Sequence, residues 1–164
     1  MLLAGSVNAA IGYFGRRLSS LDYRQIFEEE QRAYCGREHA LFGRAGQVGF
    51  AEADSYAWAW AWRNYSMGEQ ELPHIPPDAM ASSESMEAIA VLILSGRYLG
   101  YLPRHFAEPY VKSGQLAEVN PVQMRYSAGF HLVARRKPHR SEIVEAFIAD
   151  LDWVHEENGY KRQG

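Results

Sequence analysis

Three serines stand within four positions at Ala81-Ser82-Ser83-Glu84-Ser85, directly before an apolar run that begins at Met86. Hydroxyls at the entrance to a helix sit beside free backbone N–H groups and the positive end of the helix dipole, a setting that favours an oxyanion such as a carboxylate. The same serines serve equally as ordinary caps and solvated surface, and Glu84 and Glu87 oppose an incoming anion. On the residues alone the capping reading is the stronger.

Other groups that could do chemistry fall short of a constellation. His39, His74, His105, His131, His139 and His155 form no H-x-x-x-H or H-E-x-x-H pair, and Cys35-x-x-x-His39 has no second pair, so no metal site is expected. Glu28-Glu29-Glu30 alternate sides on an extended chain and suggest a solvated edge rather than acid–base work. No serine lies in a Gly-x-Ser-x-Gly elbow, and Gly12-Tyr-Phe-Gly15 is not a dinucleotide fingerprint. Neither an enzyme nor a cofactor is expected. Trp58, Trp60 and Trp62 alternate with alanines, which places the three rings on one face of a strand. They could stack on bases or sugars, but a core or cleft wall is the better reading.

The elements that would position these residues follow from pattern. Met86, Ile89, Ala90, Ile93 and Leu94 mark one helical face, and Val91 and Leu92 widen it so far that a largely buried helix is expected. Ser82 or Ser83 would be its N-cap and Gly96 its left-handed stop. Tyr98–Leu102 is short and β-favouring, and Pro103 suits the first turn of a helix through Phe106 and Tyr110 that closes at Gly114. Leu116–Val119 reads as a strand. Upstream, Val7–Phe14 predicts a buried strand, Asp22–Cys35 two extended segments, and glycine-rich Arg37–Gly49 a loop. Tyr56–Trp62 and Asp78–Ser82 predict strands separated by the irregular Leu72–Pro77. Met124–Arg135 predicts a strand, and Glu142–His155 a helix whose apolar face is Ile143, Phe147, Leu151 and Val154. Helix alternating with strand is the pattern of an α/β sheet.

Bulk properties narrow the field. A chain of 164 residues can bury a core without staples, and its net charge of −3 argues against retention on nucleic acid by bulk electrostatics. The basic run Arg135-Arg136-Lys137 with Arg140 is better read as solvating a strand end than as gripping phosphate. A single cysteine excludes an internal disulfide framework and fits a reducing, cytoplasmic setting. The uncharged first fifteen residues lack a positive n-region, and the longest apolar run elsewhere, Ala88–Leu94, is far short of the ~20 residues that span a bilayer.

Leu94-Ser-Gly-Arg-Tyr-Leu-Gly-Tyr-Leu-Pro103, followed by a helix and Ser113-Gly-Gln-Leu116, resembles a stretch of the effector-binding domain of LysR-type transcriptional regulators. Gly5-Ser-Val-Asn-Ala-Ala-Ile11 is similar to that family's Gly-x-x-Asp-x-Ala-Ile strand. Phe27-Glu-Glu-Glu30 with Tyr34-Cys-Gly-Arg-Glu-His39-Ala-Leu41 resembles its L-x-x-E … His-Pro-Leu segment, and His131–Pro138 its ending. Asn8, Ala40 and Tyr98 depart from the family pattern, where Asp, Pro and Gly are usual. The resemblance implies an α/β, periplasmic-binding-protein-like two-lobe fold. The second lobe would be complete at about residues 21–120. The first would be incomplete, a remnant at about 1–20 and 121–164. It also implies a small organic effector held in an interlobe cleft that Ser82, Ser83 and Ser85 line. It further implies no DNA binding by this chain itself and an impaired family-type homodimer. A free-standing solute-binding protein and a non-functional fragment remain the alternatives.

Overall fold

The computed structural model describes residues 6–14, 17–61, 79–136 and 141–157. Trp62, the Leu72–Pro77 connection, Asp78, Lys137 and Arg140 lie outside the described residues. The chain divides into two compact units, Met1–Glu28 with Gly129–Gly164, and Glu29–Ala128. The exchange points fall inside two long strands, β2 (Leu21–Gly36) and β7 (Arg125–Arg135), some eight residues further along than the lobe limits expected from sequence. Asp22–Cys35 thus lies within one continuous strand of 16 residues rather than forming two segments.

In the larger unit the strand order runs β2, β5 (Leu99–Pro103), β3 (Trp58–Trp60) and β4 (Ala79–Ser82), with β6 (Leu116–Glu118) also paired to β2. Strands β3, β4 and β5 are parallel, whereas β2 runs antiparallel to β5, with Ala33 opposite Tyr101. Period-two alternation sorts the two cores. Trp58 and Tyr101 pack with Leu41, Val48, Ala53 and Met124 on one face. On the other, Ala59, Tyr34 and Leu102 receive α2 (Met86–Leu94) and α3 (Arg104–Lys112) through Ile89, Ile93 and Ala107. The tryptophan–alanine alternation therefore separates a ring-filled core from a face shallow enough for a helix to lie close. Gly100 completes that shallow face: a Cβ there would meet Ile93 Cδ1 at 2.8 Å and the Ala59 carbonyl oxygen at 3.0 Å.

Helix α2 buries Ile89, Ala90 and Ile93 but leaves Val91 66% exposed, so it is one-sided rather than enclosed. Gly96 ends it with φ +73°, as expected. Tyr98 needs no such freedom: Asn120, at φ 43°, is the only non-glycine residue with positive φ among the described residues. Pro103 ends β5 and caps α3 at φ −55°, ψ 133°, one position before the first turn that its ring was expected to occupy. The glycine-rich Arg37–Gly49 segment holds a 3-10 turn at Phe42–Gln47, and α1 (Phe50–Ala53) follows it.

The smaller unit pairs β1 (Ala9–Tyr13) antiparallel with β7, Ile11 opposite Leu132. β1 is half-exposed rather than buried, with Ile11 at 50%. Helix α4 (Glu142–Glu157) turns Val144 inward, while Ile143, Phe147 and Val154 of the expected core face are exposed. The paired residues Asp152 and Arg24 fix the rotation of α4 on β2.

Candidate functional site

The carboxyl ends of the three parallel strands are Trp60, Ser82 and Pro103. Trp60 stands in register with Ser82, and the Ser83 N–H donates to the Trp60 carbonyl at 3.2 Å. This ties the serine segment to the central strand. In open α/β sheets such strand ends, where they run into helix N-termini, are where ligands bind.

Within the segment the expected cap is displaced. Ser85, not Ser82 or Ser83, is the N-cap of α2: its Oγ accepts from the Ala88 N–H at 3.3 Å. The physical reason is local, because Ser83 Oγ is occupied in accepting from the Ser85 N–H at 3.1 Å, which turns the chain just before the helix. Ser85 Oγ also donates to Glu87 Oε2 at 2.7 Å. That hydroxyl, with the Glu87 backbone N–H, holds the Glu87 carboxyl below its ordinary range. The helix entrance thus carries the Glu87 carboxylate beside that of Glu84. Ser82 and Ser85 are exposed and Ser83 is half-buried. Ser82 ends β4, and Ser83 and Ser85 lie on the short turn that leads into α2.

On the sheet face opposite α2 stands an aromatic cluster. The Trp60 ring lies edge-on to Tyr101 at 5.9 Å, Trp58 stacks on Tyr101 at 5.6 Å, and Tyr126 meets it at 5.3 Å. The Tyr101 hydroxyl is buried with no hydrogen-bond partner among the described residues. Burial, reinforced by Asp54, pushes its pKa up. The tryptophan strand is therefore core and wall rather than an open platform, since Trp58 is fully buried and bonds the Ala53 carbonyl through Nε1 at 3.1 Å.

The Glu28–Glu30 run is not simply a solvated edge. Glu30 Oε1 accepts from Arg32 Nε at 3.0 Å and Nη2 at 2.9 Å, and Glu30 also pairs with Arg104 and Arg125. Arg32 reaches Glu118 as well, at 2.7 Å. Glu29 is nearly buried; desolvation raises its pKa against the opposing effects of His105 and Gln31. These pairs link β2 to α3, β6 and β7. Nothing in the run itself announced the links to other elements, because those partners are 74 to 95 positions away in sequence. Among the described residues, no three His, Cys, Asp or Glu side chains form a group that could hold a metal ion. No helix of the described residues is long and apolar enough to cross a membrane.

The two-unit α/β fold, with parallel strands running into helix N-termini, is periplasmic-binding-protein-like. Residues 1–154 match the family model described as the LysR substrate binding domain, and the chain belongs to that family. It is 33% identical over 136 residues to the HTH-type transcriptional activator BauR of Pseudomonas aeruginosa, a match covering 80% of this chain. That match spans 43% of BauR. In fold it is similar to the regulatory domain of CrgA, a LysR-type transcriptional regulator from Neisseria meningitidis. There the TM-score is 0.69 at 18% identity, over 95% of this chain and 78% of that one. Full-length AphB, the Vibrio cholerae virulence activator of the same family, gives a TM-score of 0.69 at 16% identity, over 90% of this chain and 52% of AphB.

Proposed function

We propose that this chain is the ligand-sensing module of a LysR-type transcriptional regulator, binding a small organic effector, a carboxylate by preference, without contacting DNA itself. The observation that carries this reading is the serine turn. A chain of this family sets Ser82, Ser83 and Ser85 together at the carboxyl end of a parallel strand and the start of α2. Ser83 and Ser82 supply hydroxyl donors, and the backbone N–H groups of Glu84 and Met86, on either side of the Ser85 N–H that Ser83 engages, supply the dipole's positive end. The carboxylate of Glu87 competes for the same entrance, so an effector must offer apolar contact as well as charge. Regulation would then follow from passing the bound state to a DNA-binding domain.

The test is a thermal-shift screen of the purified chain against small mono- and dicarboxylic acids, each beside its neutral amide. The expected result is a rise in Tm with at least one acid and none with its amide. Ser83→Ala should weaken that acid about tenfold, or ~1.4 kcal/mol. No stabilisation by any acid, or equal affinity in the variant, would contradict the site.

A further inference from the structure

Helix α4 turns an apolar stripe to solvent. Val144 is its buried residue, whereas Ile143 is 82% exposed and Trp153 62%, with Phe147 and Val154 exposed as well. Single apolar residues are ordinary on a protein surface, but a continuous run of them marks a contact.

Helical geometry and strand register together say where the stripe points. Ile148 lines a hollow with Leu132 and Ala134 of β7 and with Asp22 and Arg24 of β2, which seats α4 over those two strands. Asp152 reaches toward β2, where it pairs with Arg24. At 3.6 residues per turn, Ile143, Phe147 and Val154 fall on the side of the helix opposite Asp152, and the order β1-β7-β2 puts β1 on that side. Ile11 stands opposite Leu132 in the β1–β7 ladder, so it shares the sheet face under α4. Among the described strands β1 pairs with β7 alone, and no element of the described residues covers Ile11. The result is a trough with the stripe of α4 as its wall and β1 as its floor. A second helix packed beside α4 would lie in it, since neighbouring helix axes stand about 8–10 Å apart, roughly two strand spacings.

Charge selects the occupant. Over its 16 residues α4 holds six Asp or Glu and no Lys or Arg, so neither meets the negative end of its dipole. Glu142 and Asp150 are exposed beside the stripe. Two copies of so acidic a helix repel one another across a shared contact, whereas a basic helix is attracted and gains the apolar stripe as well. We infer that the α4–β1 trough is a docking surface for a basic amphipathic helix of another protein chain. Its apolar face lies on Ile143, Phe147, Val154 and Ile11, and its Lys or Arg flank is set against Glu142 and Asp150. The surface shares no residue with the serine turn and does not depend on it.

The probe is a synthetic peptide the length of α4, built of leucine and lysine, with its leucines at the i, i+3, i+4 and i+7 spacing of one helical face. It is titrated into the full chain, with amide shifts and sedimentation velocity as the readouts. Saturable shifts at Ile11, Ile143, Phe147 and Val154 are expected, weakening as salt is raised. A peptide with glutamate in place of lysine should bind about tenfold more weakly or worse. The same should hold for a leucine–lysine peptide in strict alternation, which suits a strand. Phe147→Ser should cut affinity about tenfold. Asp150→Asn should cut it less and flatten the salt dependence, in a chain whose β2 and β7 amides are unmoved. Equal binding of either control peptide, shifts away from the trough, or undiminished binding in both variants would each overturn the assignment. So would a concentration-dependent dimer that Phe147→Ser abolishes, because a second copy would then be the occupant.

Discussion

Ser85 performs two local tasks at the scale of a single side chain: its oxygen caps α2 through the Ala88 N–H, and its proton holds the Glu87 carboxylate. Ser85→Ala should therefore lower stability by about 1 kcal/mol, the usual cost of a lost N-cap. It should also let the Glu87 pKa rise toward the ordinary carboxylate range, readable by urea denaturation and by NMR titration of the Glu87 carboxyl carbon. Ser83→Ala, acting through a hydroxyl that turns the chain but does not cap, should cost less stability and more ligand affinity. Cys35 offers a second check. It is fully buried, and burial pushes its thiol up to about 11, so almost no thiolate exists at neutral pH. An aromatic disulfide reagent should leave it unmodified in the native chain and react with it once the chain is unfolded in urea. Fast labelling without denaturant would show that the β2–β5–β6 core opens readily.

At the scale of elements, the closest fit is between α2 and the sheet. Gly100→Ala should destabilise by ~1–3 kcal/mol, because its methyl group meets Ile93 and a backbone oxygen that cannot move aside. Gly100→Ala at wild-type stability in urea would contradict the packing described for α2. The strand at the tryptophans was legible because a period of two leaves rings on one side and alanines on the other, and only a strand does so. Helix stops were legible at Gly96 and Gly114, both of which have positive φ, whereas the start of α2 fell at Ser85 rather than at Ser82 or Ser83. The helix faces were less legible. In α4 the expected face was Ile143, Phe147, Leu151 and Val154, yet Val144 is the buried residue and Asp152 pairs with Arg24, a tertiary partner over a hundred residues away that helical spacing does not reveal. Val91 likewise could be buried by its chemistry, but no element of the described residues covers it. The serine cluster was visible as a cluster, whereas its internal division into cap and turn depended on which N–H each hydroxyl met.

For the whole molecule, the buried imidazoles set the acid limit. Burial lowers the pKa of both His39 and His131 in the folded chain, so below the ordinary histidine value of about 6.5 the unfolded chain binds more protons than the native one. The stability that depends on their neutral forms is present above that value and is lost as the pH falls through the folded pKa values. The urea midpoint should drop on acidification from neutral pH, and His131→Gln should flatten part of that drop. Hydrogen exchange should be slower along β5, every residue of which is buried, than along β1, which is half-exposed. With a net charge of −3, the chain should give no discrete DNA footprint at physiological salt. The central claim, that this family's fold is used here to sense a small acid at the serine turn, is tested most directly by residue-level amide mapping with the acid that most raises Tm. Saturable shifts concentrated at Ser82–Met86 and weakened by Ser83→Ala are the predicted result; shifts confined to other residues, or the same affinity after Ser83→Ala, would contradict it.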